Sequence, residues 1–213
     1  MQTYGDTVGR AACEGRESRF AASMSSTPAR ILAFAGSARR ESLNRRLLHV
    51  AVQAARDNGA EVTVLDLNEF SMPLYHGDLE DAEGMPEAAK RLVRLITEHP
   101  ALLIASPEYN SYFAPLLKNT IDWCTRADDN PFEGKVAAII SASPGQYGGV
   151  RSATHLRALL LHLGCHIVPA QCNLPRAHEA FDEHGALKDA RALKNVRAVV
   201  RDLATLTSRL ATT

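Results

Sequence analysis

The stretch I-L-A-F-A-G-S-A-R-R-E-S-L-N-R-R-L-L, Ile31 to Leu48, holds the pattern from which the rest of the chain can be read. Its first five residues, Ile31 to Ala35, are apolar without interruption, too few for a typical helix and continuous as in a strand buried on both faces. Gly36 and a polar loop follow. From Ser42 the spacing turns helical, with Leu43, Leu47, Ala51 and Ala54 on one face. A strand, a turn of small residues and a helix N-terminus together build an anion site, because unpaired backbone N–H groups and the helix dipole both favour negative charge. Ser37, Ser42 and Asn44 add short polar groups to this loop, and Arg39 and Arg40 add cations. The expectation is a phosphate held here.

Composition narrows the partners. A chain of 213 residues fits one domain, or one domain and a tail. Hydrophobic residues make up 46% and charged residues 23%, ordinary for a globular protein with a sizeable core. Lys and Arg total 24, as do Asp and Glu, a balance that argues against a nucleic-acid binder and, more mildly, against an acidic one-electron shuttle that docks by charge. Cys13, Cys124, Cys165 and Cys172 form neither a C-x-x-C pair nor a disulfide framework, which points to a reducing compartment. No apolar stretch reaches the roughly 18 residues a membrane span needs, and the N-terminus lacks the apolar region of a secretory signal. The expected location is the cytoplasm, with no membrane partner. Residues 1–28, rich in Gly, Ser, Ala, Arg and Glu, show no periodicity and read as a disordered tail. Met24 inside it is an alternative start, and Asp6, Glu14 and Glu17 count against a targeting peptide.

Downstream, strand and helix patterns alternate. Glu61–Leu67 reads as a second strand, followed by a long connection from Asn68 to Gly84. Pro86 opens a helix to about His99, with Ala89, Leu92, Val93 and Ile96 as its buried stripe. Ala101–Ala105 is the third strand, and the loop Ser106–Tyr112 leads into a helix carrying Leu116, Leu117, Ile121 and Cys124. Lys135–Ser141 is the fourth strand; a helix spans Val150 to Leu163, closed by Gly164; Cys165–Val168 is a short fifth strand; Leu187–Leu210 is the last helix. There is no hairpin signal, no internal repeat and no second domain. Five alternations of this kind predict an α/β, doubly wound parallel sheet of five strands with helices on both faces.

In such a sheet the loops after strands one, three and four share an edge. They are Ser37–Asn44, Pro107–Asn110 and Ser143–Gly149. Ligands bind beyond the carboxyl ends of the strands where the strand order reverses, and in the order 2-1-3-4-5 strands one and three flank that crevice. Alone, each loop has a plainer reading: a helix capped by Ser42, a rigid turn, and a flexible glycine loop. The first loop is neither a G-x-x-x-x-G-K-[ST] P-loop nor a G-x-G-x-x-G dinucleotide fingerprint. Convergence of all three on one edge favours a ligand. His162, Cys165 and His166 invite a metal, but a helix end running into a strand explains them, and no metal is expected. Cys124 sits on an apolar stripe and reads as core. Trp123 and Tyr112 are placed at a subunit interface in preference to a substrate stack, and Arg126 reads as a helix-terminal cation rather than a contact to a nicotinamide-nucleotide phosphate.

G-S-A-R-R-E-S-L-N, spaced as G-S-x-R-x-x-S-x-N, together with P-E-Y-N at Pro107–Asn110 and L-K-N-T-I-D-W at Leu117–Trp123, resembles the NADPH-dependent FMN reductase family of flavodoxin-like flavoproteins, which includes quinone, azo and chromate reductases. The resemblance extends to P-L-Y-H-G-D-L-E (Pro73–Glu80), S-P-G-Q-Y-G-G (Ser143–Gly149) and F-D-E-H-G-A-L-K-D (Phe181–Asp189), and so covers nearly all of residues 30–210. It implies a flavodoxin-like FMN-binding domain over residues 29–213, with FMN as cofactor and NADPH or NADH as electron donor. By this resemblance Ser37, Arg39, Ser42 and Asn44 hold the FMN 5′-phosphate. Pro107, Glu108, Tyr109 and Asn110 line the isoalloxazine and ribityl side, and Ser143, Gly145 and Gly148 approach the other end of the ring. The implied activity passes hydride from nicotinamide to flavin and on to a quinone, free flavin or similar small acceptor in a ping-pong cycle, by a homodimer or homotetramer. No side-chain acid or base is required for hydride transfer, so no catalytic residue is assigned. Two alternatives stay open: a non-enzymatic flavin-binding electron carrier or redox sensor, and a protein for another phosphorylated ligand. The first loop is longer than the short Ser/Thr-rich loop of true flavodoxins, which weighs against the shuttle.

Overall fold

The structure, a computed structural model, describes residues 28–211. In order these form β1 (Arg30–Ala35), α1 (Leu43–Asp57), β2 (Glu61–Leu65), α2 (Gly77–Glu83), α3 (Glu87–Glu98), β3 (Ala101–Ala105), β4 (Glu108–Tyr109), β5 (Tyr112–Phe113), α4 (Pro115–Cys124), β6 (Val136–Ala142), α5 (Val150–His162), β7 (His166–Ile167), β8 (Cys172–Leu174) and α6 (Ala190–Leu210). The expected disordered tail, with Met24 and Cys13, lies outside the described residues apart from Pro28.

The central sheet is parallel, in the order β2-β1-β3-β6-β7, and β8 adds a further parallel strand beside β6. It therefore has six strands rather than the five expected. β7 is too short to run the length of β6: it pairs with Val136 and Ala137, while β8 pairs with Ile140 to Ala142 at the other end. The second correction is a hairpin: β4 and β5 form a separate antiparallel pair. Asn110 and Ser111 at its turn have φ of 52° and 66°, the two left-handed residues of a type I′ turn. Asn-Ser lacks the Asn-Gly signature, so nothing in the sequence advertised it. The third is α2, a short helix inside the expected Asn68–Gly84 connection.

The uninterrupted apolar strands follow from burial on both faces. Along β1, Ile31, Ala33 and Ala35 point into a core shared with α1 and α6, whereas Leu32 and Phe34 point into a second core built by α3, α4 and α5. β3 divides the same way, with Leu103 on the first side and Leu102 and Ile104 on the second. β2 has only one neighbour and is mostly exposed, and its sequence accordingly mixes Glu61 and Thr63 among the apolar residues. Register sets Ala35 opposite Ala105 and Ala105 opposite Ile140, so the carboxyl ends of β1, β3 and β6 come out side by side. At the end of β1 the chain must pass close to α4. A Cβ on Gly36 would stand 2.9 Å from Leu117 Cδ2, so the smallest residue is needed for that approach.

Trp123, expected at a subunit interface, is instead fully buried on α4. Its Nε1–H donates to the Pro73 carbonyl at 2.8 Å, an acceptor shared with the Asn119 amide at 2.9 Å. Tyr75 meets its ring edge-on at 5.1 Å. These contacts strap the long connection after β2 onto α4. Tyr112 does remain exposed, stacked on Phe113 and tilted against His155. Trp123 is the single tryptophan, so its fluorescence reports this strap. In the FMN-free protein its emission should resist iodide quenching, and Trp123→Phe should lower stability in urea by about 1 kcal/mol through loss of the buried hydrogen bond. Emission open to iodide in the folded protein would contradict the packing.

Candidate functional site

The three loops converge at the carboxyl edge of the sheet. In the first, Ser42 caps α1, its Oγ accepting the Arg45 N–H at 3.3 Å. Ser37 is buried and its Oγ accepts the Arg39 N–H at 3.4 Å. Among the described residues, no protein acceptor serves the backbone N–H of Ala38, Arg40, Leu43 or Asn44. Arg39 and Arg40 are exposed and enter no ion pair there, whereas Arg45 is committed to Asp66. A donor set of unpaired N–H groups, two serine hydroxyls and two uncommitted guanidinium groups at a helix N-terminus fits a phosphate, with Glu41 the one carboxylate carried in the same loop.

Asn44 has a different duty from the one its spacing implies. Its amide donates to the Ala142 carbonyl and accepts the Ala142 N–H, both at 2.9 Å, and the side chain is buried. It ties the start of α1 to the end of β6, and so the first loop to the third.

The second loop is tied to the third in a comparable way. Pro107 is buried, Glu108 half-buried, and Tyr109 and Asn110 exposed. The Glu108 carboxylate accepts the backbone N–H groups of Arg151 and Ser152 at 3.1 and 3.4 Å, satisfying the open start of α5, where the N-cap Gly149 has no side chain to do so. The Arg151 guanidinium adds two hydrogen bonds at 2.9 and 2.5 Å. Burial pushes the Glu108 carboxyl up, but the hydrogen bonds from Arg151 and Ser152 and the Arg151 charge outweigh it and hold the group below its ordinary 4.5. Beneath this pair, Ser106 Oγ and Ser152 Oγ are 2.6 Å apart, and Ser152 donates to the Pro107 carbonyl at 2.8 Å. The Glu108 side chain is thus occupied, and what the loop offers a ligand is main chain, the Asn110 amide and the Tyr109 ring.

In the third loop Ser143 is half-buried, and its Oγ accepts the Gly145 N–H at 3.1 Å. Gly145 is exposed, with open space where a Cβ would stand beyond Ser143 Oγ. Gly148, with φ of 61°, lies so close to β8 that a Cβ would come within 2.6 Å of the Asn173 carbonyl carbon. It serves the packing of β8, and the Ser141 hydroxyl lies 2.7 Å from both the Gly148 carbonyl and Asn173 Oδ1.

Arg151, Ser152, Ser141 and Asn173 were missed from sequence. Apart from the Gly148 carbonyl met by Ser141, their partners lie tens of residues away, and no local pattern marks them. The metal candidates separate: His162 and His166 are exposed, whereas Cys165 is buried, its thiol pushed up to about 12 by burial and lying 3.2 Å from the Phe132 carbonyl. Arg126 pairs with Glu80 at 3.2 Å beside the Tyr75 ring.

Comparison with known proteins now has a geometry to meet. The profile of the NADPH-dependent FMN reductase family matches residues 29–179. An NAD(P)H-dependent FMN reductase of Pseudomonas aeruginosa is 36% identical over 182 residues, covering 85% of this chain and 96% of the relative. An NAD(P)H:quinone oxidoreductase of Solanum tuberosum is 33% identical over 186 residues, covering 85% and 94%. Among solved structures, the flavoenzyme NAD(P)H:(acceptor) oxidoreductase FerB of Paracoccus denitrificans superimposes with a TM-score of 0.72 at 29% identity, over 85% of this chain and 98% of that one.

Two outcomes follow from the ties between loops. Asn44→Ala strips the Ala142 N–H and C=O of buried partners and should destabilise the FMN-free protein by about 1–3 kcal/mol in urea unfolding. Glu108 is held below its ordinary value, so its stabilising contribution is complete above that value and fades as pH falls through and below 4.5. In Glu108→Gln the stability-against-pH curve should flatten on that acid limb. An unchanged limb would mean the Arg151 pair does not form in solution.

Proposed function

The chain belongs to the NADPH-dependent FMN reductase family and is an FMN-dependent NAD(P)H oxidoreductase of the quinone-reductase type, and from that premise we propose how its residues divide the work. Ser37, Ser42, Arg39 and the open N–H groups of the first loop hold the FMN 5′-phosphate. Asn44 contributes by fixing that loop against β6, its amide being engaged by Ala142. Pro107, Glu108, Tyr109 and Asn110 line the isoalloxazine and ribityl side through main chain and the Asn110 amide. Ser143 and Gly145 approach the other end of the ring, and Gly148 sets their path over β8. When bound, FMN supplies the two-electron chemistry between nicotinamide and acceptor, and the chain supplies binding, orientation and electrostatics. The Ser143 and Gly145 N–H groups are already donated, to the Leu174 carbonyl and to Ser143 Oγ, and Pro144 has none, so these residues meet the ring by close approach rather than as free donors. Donor and acceptor use the same open edge in turn, a ping-pong order, and the acceptor is a quinone, free flavin or similar small molecule.

Counting β6 and β7 as fourth and fifth gives the flavodoxin-like core order 2-1-3-4-5, with β8 as an addition. Residues 29–213 are the FMN-binding domain, and residues 1–28 stand outside it. The exposed rings of Tyr109 and Tyr112 support assembly as a homodimer or homotetramer, and the free buried thiols of Cys124, Cys165 and Cys172 accord with the cytoplasm. Among the described residues no helix is long and apolar enough to cross a membrane.

The observation that carries this reading is the first loop, an anion cradle with uncommitted donors facing two loops that are braced to each other. FMN-loaded protein should oxidise NADPH with a benzoquinone as acceptor and give parallel double-reciprocal lines. Bound FMN without such turnover for any quinone or free flavin would replace the enzyme with an electron carrier. Arg39→Ala should weaken FMN affinity about tenfold, the worth of one exposed charge-assisted phosphate contact. Unchanged affinity in fluorescence titration would move the phosphate elsewhere.

A further inference from the structure

Balance of charge over the whole chain conceals a local imbalance. The last helix and its lead-in carry Lys188, Arg191, Lys194, Arg197, Arg201 and Arg209 against Asp189 and Asp202 alone. The compensating acids fall mainly between Asp66 and Glu98, a segment whose helix α3 packs on the opposite face of the sheet from α6. Lys194, Arg197 and Arg201 recur at steps of three and four, so they form one exposed row about 10 Å long on α6. Lys188, Arg191, Lys194 and Arg197 enter no ion pair among the described residues, and Arg201 meets Asp202 at 3.1 Å. The nearby acids are engaged already. Asp189 caps α6 through the Arg191 and Ala192 N–H groups, Asp57 accepts the Gln53 amide at 2.7 Å, and Glu183 lies 3.5 Å from His184. Beside Arg197, α1, α6 and the turn at His184 enclose a cleft of about 350 Å³ with an apolar floor of Val50, Ala54, Leu187 and Leu193. Asp57 also lines it.

We propose that this face docks on an anionic lipid bilayer, its cations meeting headgroup phosphates and its cleft receiving apolar lipid. No residue assigned to the flavin takes part, so the docking stands apart from the oxidoreductase reading. A row of unpaired cations on one face repels itself in the free protein, and a surface of fixed negative charge relieves that repulsion. Each Lys or Arg brought near such a surface strengthens binding about fivefold, so four of them give a contact strong enough to measure. Long side chains hold these charges at headgroup level while their methylene stems lie along apolar surface, which the cleft beside Arg197 continues. A nucleic acid would use the cations and leave the cleft empty. The exposed tyrosines on which its bases would stack, Tyr109, Tyr112 and Tyr147, belong to the second and third loops instead. The contact is peripheral and needs no spanning helix, and the zero net charge is why composition gave no sign of a membrane partner. For a quinone dissolved in that bilayer, docking replaces a search through solution by one along a surface. Only this last consequence rests on the oxidoreductase reading.

The test is sedimentation of the FMN-loaded full chain with vesicles of phosphatidylcholine, either alone or with about a third phosphatidylglycerol. Binding should appear with the anionic vesicles only and be lost by about 0.5 M NaCl. Lys194→Gln/Arg197→Gln should weaken it about 25-fold, whereas Lys90→Gln/Arg94→Gln, an equal charge change on α3, should leave it as it was. Leu193→Ser should weaken binding without changing its dependence on salt, since it alters the apolar floor and not the charge. Native binding by that variant overturns the part given to the cleft. Absence of binding by the native protein, or equal binding to neutral vesicles, overturns the proposal without need of any variant. So does an equal loss in the α3 variant, which would make total charge responsible rather than this face. Release from the vesicles by millimolar glycerol phosphate would make the site one for a free phosphate ester and reject the bilayer. Retention on a DNA duplex through Lys194 and Arg197, with no vesicle binding, would put nucleic acid in its place. Oxidation of NADPH with a soluble quinone is measured without vesicles, so docking and oxidoreductase activity fail or hold separately.

Discussion

Burial on both faces of β1, β3 and β6 is the constraint from which the molecule is built. A strand enclosed by helices above and below cannot present polar side chains on either side, so its polar groups gather where it ends. Polar chemistry is thereby gathered in the loops at the carboxyl edge, and parallel pairing aligns the ends of β1 and β3, with β6 running two residues further. The site is a consequence of the sheet, and the loops supply only its detail.

What keeps the loops in place is a set of ties between distant parts of the chain. The Asn44 amide closes both hydrogen bonds of Ala142, and Glu108 serves as the side-chain cap that Gly149 lacks. The Ser106–Ser152 pair fills the space beneath. These buried polar groups are each satisfied within the protein, which rigidifies a region otherwise made of turns. Exposed donors such as the Arg39 guanidinium stay uncommitted. The contrast between committed and uncommitted polar residues is clearest at the first loop, where the Asn44 amide is spent on Ala142, and Arg39 and Arg40 stand in solvent.

The apolar runs of β1, β3 and β6 were legible because they obey a local rule, and the helices because their stripes do. The cap at Ser42 was legible for the same reason. β8 and the 108–113 hairpin were not: each is two or three residues per strand, and its pairing is decided by what lies alongside. Trp123 shows the limit for side chains, since burial beneath the Pro73–Tyr75 segment depends on a contact across fifty residues of chain. Of the candidate site, the alternation of strands and helices was enough to bring the three loops to one sheet edge, but spacing could not tell that the amide of Asn44 faces β6, nor that the carboxylate of Glu108 faces α5. Arg151 left no local trace at all.

The cap that Glu108 places on α5 bears on motion as well as structure. Because one carboxylate satisfies the first free amides of a helix and also anchors the adjoining hairpin, neither can open alone without orphaning the other's hydrogen bonds. Hairpin and helix start therefore form one cooperative opening unit. Amide exchange at Arg151 and Ser152 would track that of the hairpin, and a lone fluctuation of the tyrosine-bearing turn would die out at residue 108.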